Sequence, residues 1–248
     1  MIVKKDFWYA PDLSNRTLHI WLPEDYESSE ECYPVMYFFD GHNLFCDQDA
    51  TYGKSWGMGD FLCRWPKPMI VVGAECNHEK NGRLSEYLPY PARWELESTL
   101  PLGEATMAWL MEQVKPMIDA EFRTIPFREC TGIGGSSMGG LMAAFAALRW
   151  NALISKAACL SPALGFCAPP LFQELKNRAI EPDTRLYFSW GTKEMARWPK
   201  AAKLIDETAE RFAARGAKVS LFHQPGGRHC EADWEKLVPD FMKALWDD

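Results

Sequence analysis

The sequence predicts an α/β fold built on a mostly parallel central sheet with helices on both faces, and three observations carry that reading. Runs such as Pro34–Phe39 and Pro68–Ala74 are apolar along nearly their whole length, as strands buried on both faces are. Longer stretches with apolar residues at helical spacing separate such runs. Glycine, proline and asparagine punctuate the joins, so strand and helix alternate along the chain.

Composition sets the outer bounds. At 248 residues the chain can bury one large core, and residues 1–248 are expected to form a single domain. Apolar residues make up 47% and charged residues 25%, the balance of a water-exposed globular protein. A net charge of −7 argues against a nucleic-acid surface. The opening residues do not read as a secretion signal, because the apolar run is short and broken by Lys4, Lys5 and Asp6. No stretch has the length of a membrane span. The eight cysteines show no CxxC pair or zinc-type spacing, so reduced thiols in a cytoplasmic protein are the expectation.

Taken in order, Ile2–Tyr9 and Arg16–Leu22 read as an antiparallel pair joined by the turn-like Pro11–Asn15. Pro34–Phe39 follows as a buried strand and runs into Asp40-Gly41-His42-Asn43. Trp56–Trp65 is a short helix and Pro68–Ala74 the next strand. Glu75 to Leu102 is a long irregular section, the kind of loop that usually carries function. Glu104–Asp119 is helical, with Pro116 expected to kink or split it. The strand at Thr131, a small-residue turn and the helix Leu141–Leu148 come next, then a strand at Ile154–Leu160 and a short helix at Leu171–Asn177. Arg185–Trp190 is a strand and Lys200–Arg215 a helix closed by Gly216. Lys218–Phe222 is the last strand, and Ala232–Trp246 a final helix.

Sheets of this kind carry their sites at the C-terminal ends of the strands. Asp40 to Asn43, Ser137, Glu194 and His229 all lie just past the ends of expected strands. Gly135-Ser136-Ser137-Met138-Gly139 fits G-x-S-x-G around Ser137, whereas Ser136 has Met138 two residues on and does not fit. A serine hydroxyl needs a base. Of the five histidines, His229 follows the last strand on a glycine-rich loop, and the order serine, acid, histidine is preserved if Glu194 is the acid. Asp183, Asp206 and Glu207 compete with Glu194, but none stands at the C-terminal end of its strand. The oxyanion of a tetrahedral intermediate needs two backbone donors. Met138, next after the serine, is one, and the loop Gly41–Asn43 should supply the other.

Five stretches resemble a known family in order. Tyr37-Phe38-Phe39-Asp40-Gly41-His42-Asn43-Leu44-Phe45 is similar to its "LLDGQNLF" signature, and Arg83-Leu84-Ser85-Glu86-Tyr87-Leu88-Pro89 to its R-x-x-E-Y-x-P segment. Gly135 to Gly140 resembles its G-x-S-M-G-G elbow, Gly191-Thr192-Lys193-Glu194 its acid turn, and Gly226 to Trp234 its G-G-x-H-x-x-x-x-W ending. The family is the putative-esterase group of α/β-hydrolases, which includes siderophore esterases, feruloyl and acetyl-sugar esterases, and mycolyltransferases. The resemblance implies an α/β-hydrolase fold and a serine carboxylesterase with Ser137 as nucleophile, His229 as base and Glu194 as acid. It makes the N–H of His42 the second oxyanion donor beside that of Met138. It gives Asp40 a role in shaping the hole or touching substrate, and makes Arg83 and Glu86 a structural ion pair. Trp56, Tyr87, Tyr90 and Trp94 come from rim loops and are candidates to bind an aryl or sugar ester.

The expected partner is a small-molecule ester, with no metal or organic cofactor, no nucleic acid and no membrane. Acyl transfer to an alcohol or sugar is the alternative use of the same residues. A non-catalytic binding protein on a hydrolase scaffold is the third reading.

Overall fold

The computed structural model describes residues 1–92 and 99–247. Among the described residues, eight strands form one sheet: β1 (Ile2–Tyr9), β2 (Ser14–Trp21), β3 (Val35–Phe39), β4 (Ile70–Ala74), β5 (Thr131–Ser136), β6 (Lys156–Leu160), β7 (Arg185–Gly191) and β8 (Lys218–Gln224). Their spatial order is β1-β2-β4-β3-β5-β6-β7-β8. β2 pairs antiparallel with both β1 and β4, and every other pairing is parallel. The sheet is thus mostly parallel, as the doubly buried apolar runs require.

The alternation of side chains along β3 explains why both faces must be covered. Val35, Tyr37 and Phe39 enter one core, and Met36 and Phe38 enter the other. The first core is closed by Gly103–Glu121, Met138–Arg149, Ala168–Asn177 and Pro199–Ala214. The second is closed by Met58–Leu62 and by the C-terminal segment from Trp234 to Leu245. Met138–Arg149 is apolar all round, with eleven of its twelve residues buried, which is what a helix laid centrally on a sheet looks like.

Three elements differ from the sequence expectation. The stretch Glu104–Asp119 forms α-helix over Gly103–Trp109, a π-helical turn over Leu110–Val114, and α-helix again from Lys115 to Glu121. Pro116 lacks the N–H that would meet the Glu112 carbonyl, and its ring would strike that carbonyl; widening the preceding turn relieves both problems. The final helix is likewise divided, with Glu231–Trp234, a 3₁₀ turn at Glu235–Leu237, and Val238–Trp246. Pro239 sits in the first turn of the last piece, where a missing N–H costs nothing. The long section after β4 contains a five-residue helix, Gly82–Glu86, too short for periodicity to reveal. Among the described residues no helix is long and apolar enough to cross a membrane. All eight cysteines are unpaired.

Candidate active site

The turn after β5 is held in a conformation that side chains rarely adopt. Ser137 has φ 58° and ψ −119°, the backbone of the first central position of a II′ turn, which normally takes glycine. Backbone hydrogen bonds pin it there. The Ser137 N–H donates to the Leu160 carbonyl at 2.9 Å, and the Ser137 carbonyl accepts from Ala163 at 2.9 Å and Leu141 at 3.0 Å. The flanking glycines are steric necessities. A Cβ on Gly135 would lie 2.7 Å from the Gly139 backbone, and one on Gly140 would lie 2.8 Å from the Leu160 carbonyl oxygen. The tight turn lets the sheet end and the helix Met138–Arg149 begin within one residue, with Ser137 at the junction. Met138 is the first helical residue, so its N–H has no acceptor within the helix.

A second loop approaches from β3. Asp40 adopts φ 58° and ψ 47°, and Gly41–Asn43 form one 3₁₀ turn. A Cβ on Gly41 would sit 2.3 Å from the Gly73 backbone of β4, so only glycine permits this close approach. Asp40 is 5% exposed, and its side chain faces inward to Arg83. Arg83 Nε and Nη2 each donate to one Asp40 oxygen at 2.7 Å, a bidentate geometry. Burial pushes the Asp40 carboxyl upward, but the Arg83 guanidinium outweighs it and holds the group below the usual carboxylate range. The Asp40 N–H donates to Tyr87 Oη at 3.1 Å.

The third element is the loop after β8. His229 Nδ1 donates to Glu194 Oε1 at 2.7 Å. Glu194 stands in the short helix Thr192–Met195 directly after β7 and is 7% exposed. Its N–H and that of Lys193 both donate to the Gly227 carbonyl, at 3.1 Å and 3.0 Å, which ties the acid turn to the histidine loop. Its other carboxylate oxygen accepts from Ser161 Oγ at 2.8 Å, and Trp234 Nε1 donates to that hydroxyl at 3.3 Å. The His229 ring also meets the Trp234 ring edge-on, with centroids 4.9 Å apart. The imidazole is therefore fixed on its Nδ1 side, with Nε2 left as the acceptor.

Ser137, His229, Asp40 and His42 all line one cavity of about 620 Å³, well within the size range of small-molecule sites. Thr51, Tyr52, Asn77, His78, Lys80, Arg83, Glu231 and Trp234 complete much of its wall. Burial, with Asp40 nearby, raises the Glu231 carboxyl above its ordinary value.

The structure thus brings Ser137, His229, Glu194, Asp40 and the His42 and Met138 backbones to one rim. Trp56 and Tyr87 stand elsewhere. Trp56 is 3% exposed and packs on Phe38, Trp234 and Phe241 in the core. Tyr87 is 1% exposed, with its ring against Phe39. Aromatic area is best buried, and in these loops the core took it. Tyr90 donates its hydroxyl to Glu174 and packs its ring on Phe145, and Trp94 lies outside the described residues. The expected Arg83–Glu86 pair is also replaced: Arg83 pairs with Asp40, and Glu86 with the buried Arg16. The sequence reading did not anticipate Ser161 beside the acid or Tyr52 and His78 on the cavity wall. Ser161 gave a signal, since it follows β6 directly at the same rim. Tyr52 and His78 lie on loops whose course no local pattern reveals.

A mostly parallel sheet of eight strands, with a serine elbow after β5, an acid turn after β7 and a histidine loop after β8, defines an α/β-hydrolase. The family described as "Putative esterase" matches residues 13–244, and the chain belongs to that family. It is thereby an ester hydrolase by class. The chain is similar to the uncharacterized protein YbbA of Bacillus subtilis, at 24% identity over 73% of this chain and 69% of that protein. It is also similar to an esterase of Mycobacterium tuberculosis, at 30% identity over 56% of this chain but only 26% of the longer protein. Among solved structures, the IroE-like serine hydrolase of Shewanella oneidensis superposes with a TM-score of 0.75 at 20% identity, covering 97% of this chain and 81% of that one. The enterobactin esterase of Shigella flexneri gives 0.74 at 16% identity, covering 99% of this chain and 58% of that one. At such identities these structures establish the fold.

Proposed function

We propose that the protein hydrolyses small polar carboxylic esters through an acyl-serine intermediate. The hydrogen bond from His229 to Glu194, at the wall of the cavity that Ser137 also lines, is the observation that carries this reading. Ser137 Oγ attacks the ester carbonyl while His229 Nε2 takes its proton. The N–H groups of Met138 and His42 receive the developing oxyanion; each such donor is worth roughly 100- to 1000-fold in rate. His229 then gives the proton to the departing alcohol, and Glu194 stabilises the imidazolium in between. Water repeats the cycle and frees the acid and the serine. Asp40 does not contact substrate in this scheme. Its carboxylate is occupied by Arg83, and it sets the course of the loop that carries the His42 N–H.

The cavity supports a polar substrate. Asn77, His78, Lys80, Thr51 and Tyr52 offer hydrogen bonds and charge around the serine, while Trp56 and Tyr87 are turned into the core. A sugar-linked ester or a siderophore lactone, rich in hydroxyl and carbonyl oxygens, suits such a wall better than an alkyl ester. The test joins fluorophosphonate labelling to an ester panel of acetyl, butyryl, feruloyl and cyclic lactone substrates scored by kcat/KM. Labelling at Ser137 and turnover that falls by about 10⁴-fold or more in Ser137→Ala are expected. Unchanged turnover in that variant would end the mechanism.

A further inference from the structure

The loops after β3 and β4 bring together three side chains that take no part in the acyl-transfer steps: the imidazoles of His42 and His78 and the thiol of Cys76. One donor atom from each lies within 4.8 Å of the others. His42 is 5% exposed and Cys76 3% exposed, whereas His78 stands exposed at the cavity wall.

The hydrogen bonding of the two rings is what singles the group out. His42 Nε2 lies 2.9 Å from Thr51 Oγ1, while His42 Nδ1 is buried without any hydrogen-bond partner. A buried polar atom left unsatisfied costs roughly 1–3 kcal/mol and calls for a reason. With the proton on Nε2 donated to Thr51, Nδ1 presents a bare lone pair on a ring held from its far side. His78 repeats the pattern, since its Nε2 donates to Glu75 Oε2 at 3.3 Å and leaves Nδ1. Fixing a ring through its other nitrogen is how metal-binding histidines are oriented. The two rings meet edge-on with centroids 4.6 Å apart.

We propose that His42, Cys76 and His78 bind a divalent cation of the zinc type through two imidazole nitrogens and a thiolate, with the fourth position open to the cavity. Imidazole nitrogen and thiolate sulfur are both zinc ligands, and a zinc ion held by three protein ligands keeps its fourth tetrahedral position open. Around a tetrahedral zinc ion the ligand atoms stand roughly 3.5 Å apart. Closing the set from its present spread needs a movement that the exposed His78 side chain can make by rotation. On binding, the Cys76 S–H bond breaks, its proton goes to solvent, and an S–Zn bond forms with no change of oxidation state. The bound ion sits at the wall of the cavity beside the loop that offers the His42 N–H. It therefore obstructs ester turnover, a consequence that rests on the ester-hydrolase reading, whereas the binding does not.

Cobalt(II) reports the site directly. Titrating Co²⁺ into the reduced, metal-free protein is expected to give a thiolate-to-cobalt charge-transfer band and the strong visible absorption of a tetrahedral ion, saturating at one equivalent and abolished by Zn²⁺. Cys76→Ser removes the charge-transfer band, while Cys63→Ser, at an exposed cysteine, keeps it. His78→Ala, a change at an exposed position, weakens binding by at least about tenfold. Absence of the band, its survival in Cys76→Ser, or an unaltered titration in His78→Ala would each overturn the site. Zn²⁺ should inhibit hydrolysis of p-nitrophenyl acetate by the parent but not by Cys76→Ser, and full turnover by the metal-loaded parent would overturn the open position. A parent without esterase activity would sink the ester reading and leave the cobalt spectrum to decide the metal site.

Discussion

Replacing Ser137 with glycine should stabilise the fold while removing the reaction. The serine sits at φ 58° and ψ −119°, where a Cβ is strained, and a residue held in such a region costs about 1–3 kcal/mol. Hydrogen bonds to the loop after β6 and to the helix leave the backbone no freedom to relax. Ser137→Ala removes the hydroxyl and keeps the strain; Ser137→Gly removes both. Comparing the two variants therefore cancels the lost hydroxyl. Glycine loses more conformational freedom on folding, which offsets about 0.4–1 kcal/mol of the gain. The glycine variant should accordingly exceed the alanine variant by about 1–2 kcal/mol, or roughly 3–6 °C in Tm for a chain of this size. Urea unfolding of both, with equal m-values, measures it. Both variants should be inactive. An alanine variant as stable as the glycine one, or more so, would mean that no strain is stored at the serine, and the account of why the elbow is held from both sides would fall.

Two other perturbations test the loop after β3. Gly41→Ala drives a Cβ into the Gly73 backbone at 2.3 Å, which should destabilise by about 3 kcal/mol and, in whatever protein folds, lower kcat more than it raises KM, because in the proposed mechanism the displaced group is the His42 donor; a silent substitution in thermal melts would contradict the packing. Asp40→Asn leaves the half-buried Arg83 without its carboxylate and should cost about 2 kcal/mol at neutral pH, between the values for surface and buried pairs. Because Asp40 titrates lower in the folded protein than in the unfolded chain, the pair's contribution is present above about pH 4 and is lost as pH falls through the folded value. The difference in stability between parent and Asp40→Asn should shrink across that acid window; a gap that widened there would reverse the assignment.

The sheet was legible because burial on both faces leaves continuous apolar runs, and the candidate reacting groups stood out because each follows a strand end. The breaks inside helices were less so. Pro116 announced a disturbance, but whether the chain kinks, splits or widens to a π turn depends on the packing of Leu110, Met111 and Val114 against the sheet. The aromatic residues misled for a related reason. Trp56 and Tyr87 flank functional motifs, yet a large ring beside a site can face either way, and only tertiary packing decides. The His42, Cys76 and His78 group could not be read from spacing, because His42 lies 34 residues before Cys76. Cys76 and His78 follow β4 and His42 follows β3, and their adjacency arises from the β3–β4 pairing that aligns Phe39 with Ala74.

That pairing also explains what Asp40, Arg83 and Tyr87 do together. An oxyanion donor is a backbone group, and its position cannot be fixed by its own side chain. Here the loop after β3 is fixed from three sides: Gly41 lies against Gly73 of β4, Tyr87 Oη accepts the Asp40 N–H, and Arg83 clasps the Asp40 carboxylate. Gly139, one residue past Met138, would bring a Cβ to 3.4 Å from an Asp40 oxygen and 3.0 Å from Phe39. The loop and the start of the helix are thus pressed against each other. The R-x-x-E-Y segment earns its place beside the serine elbow by this route: Arg83 and Tyr87 hold Asp40, and Asp40 holds the backbone that faces the serine. Asp40 and Tyr87, which sequence reasoning assigns to substrate contact, serve in this fold to fix the course of the loop that carries His42.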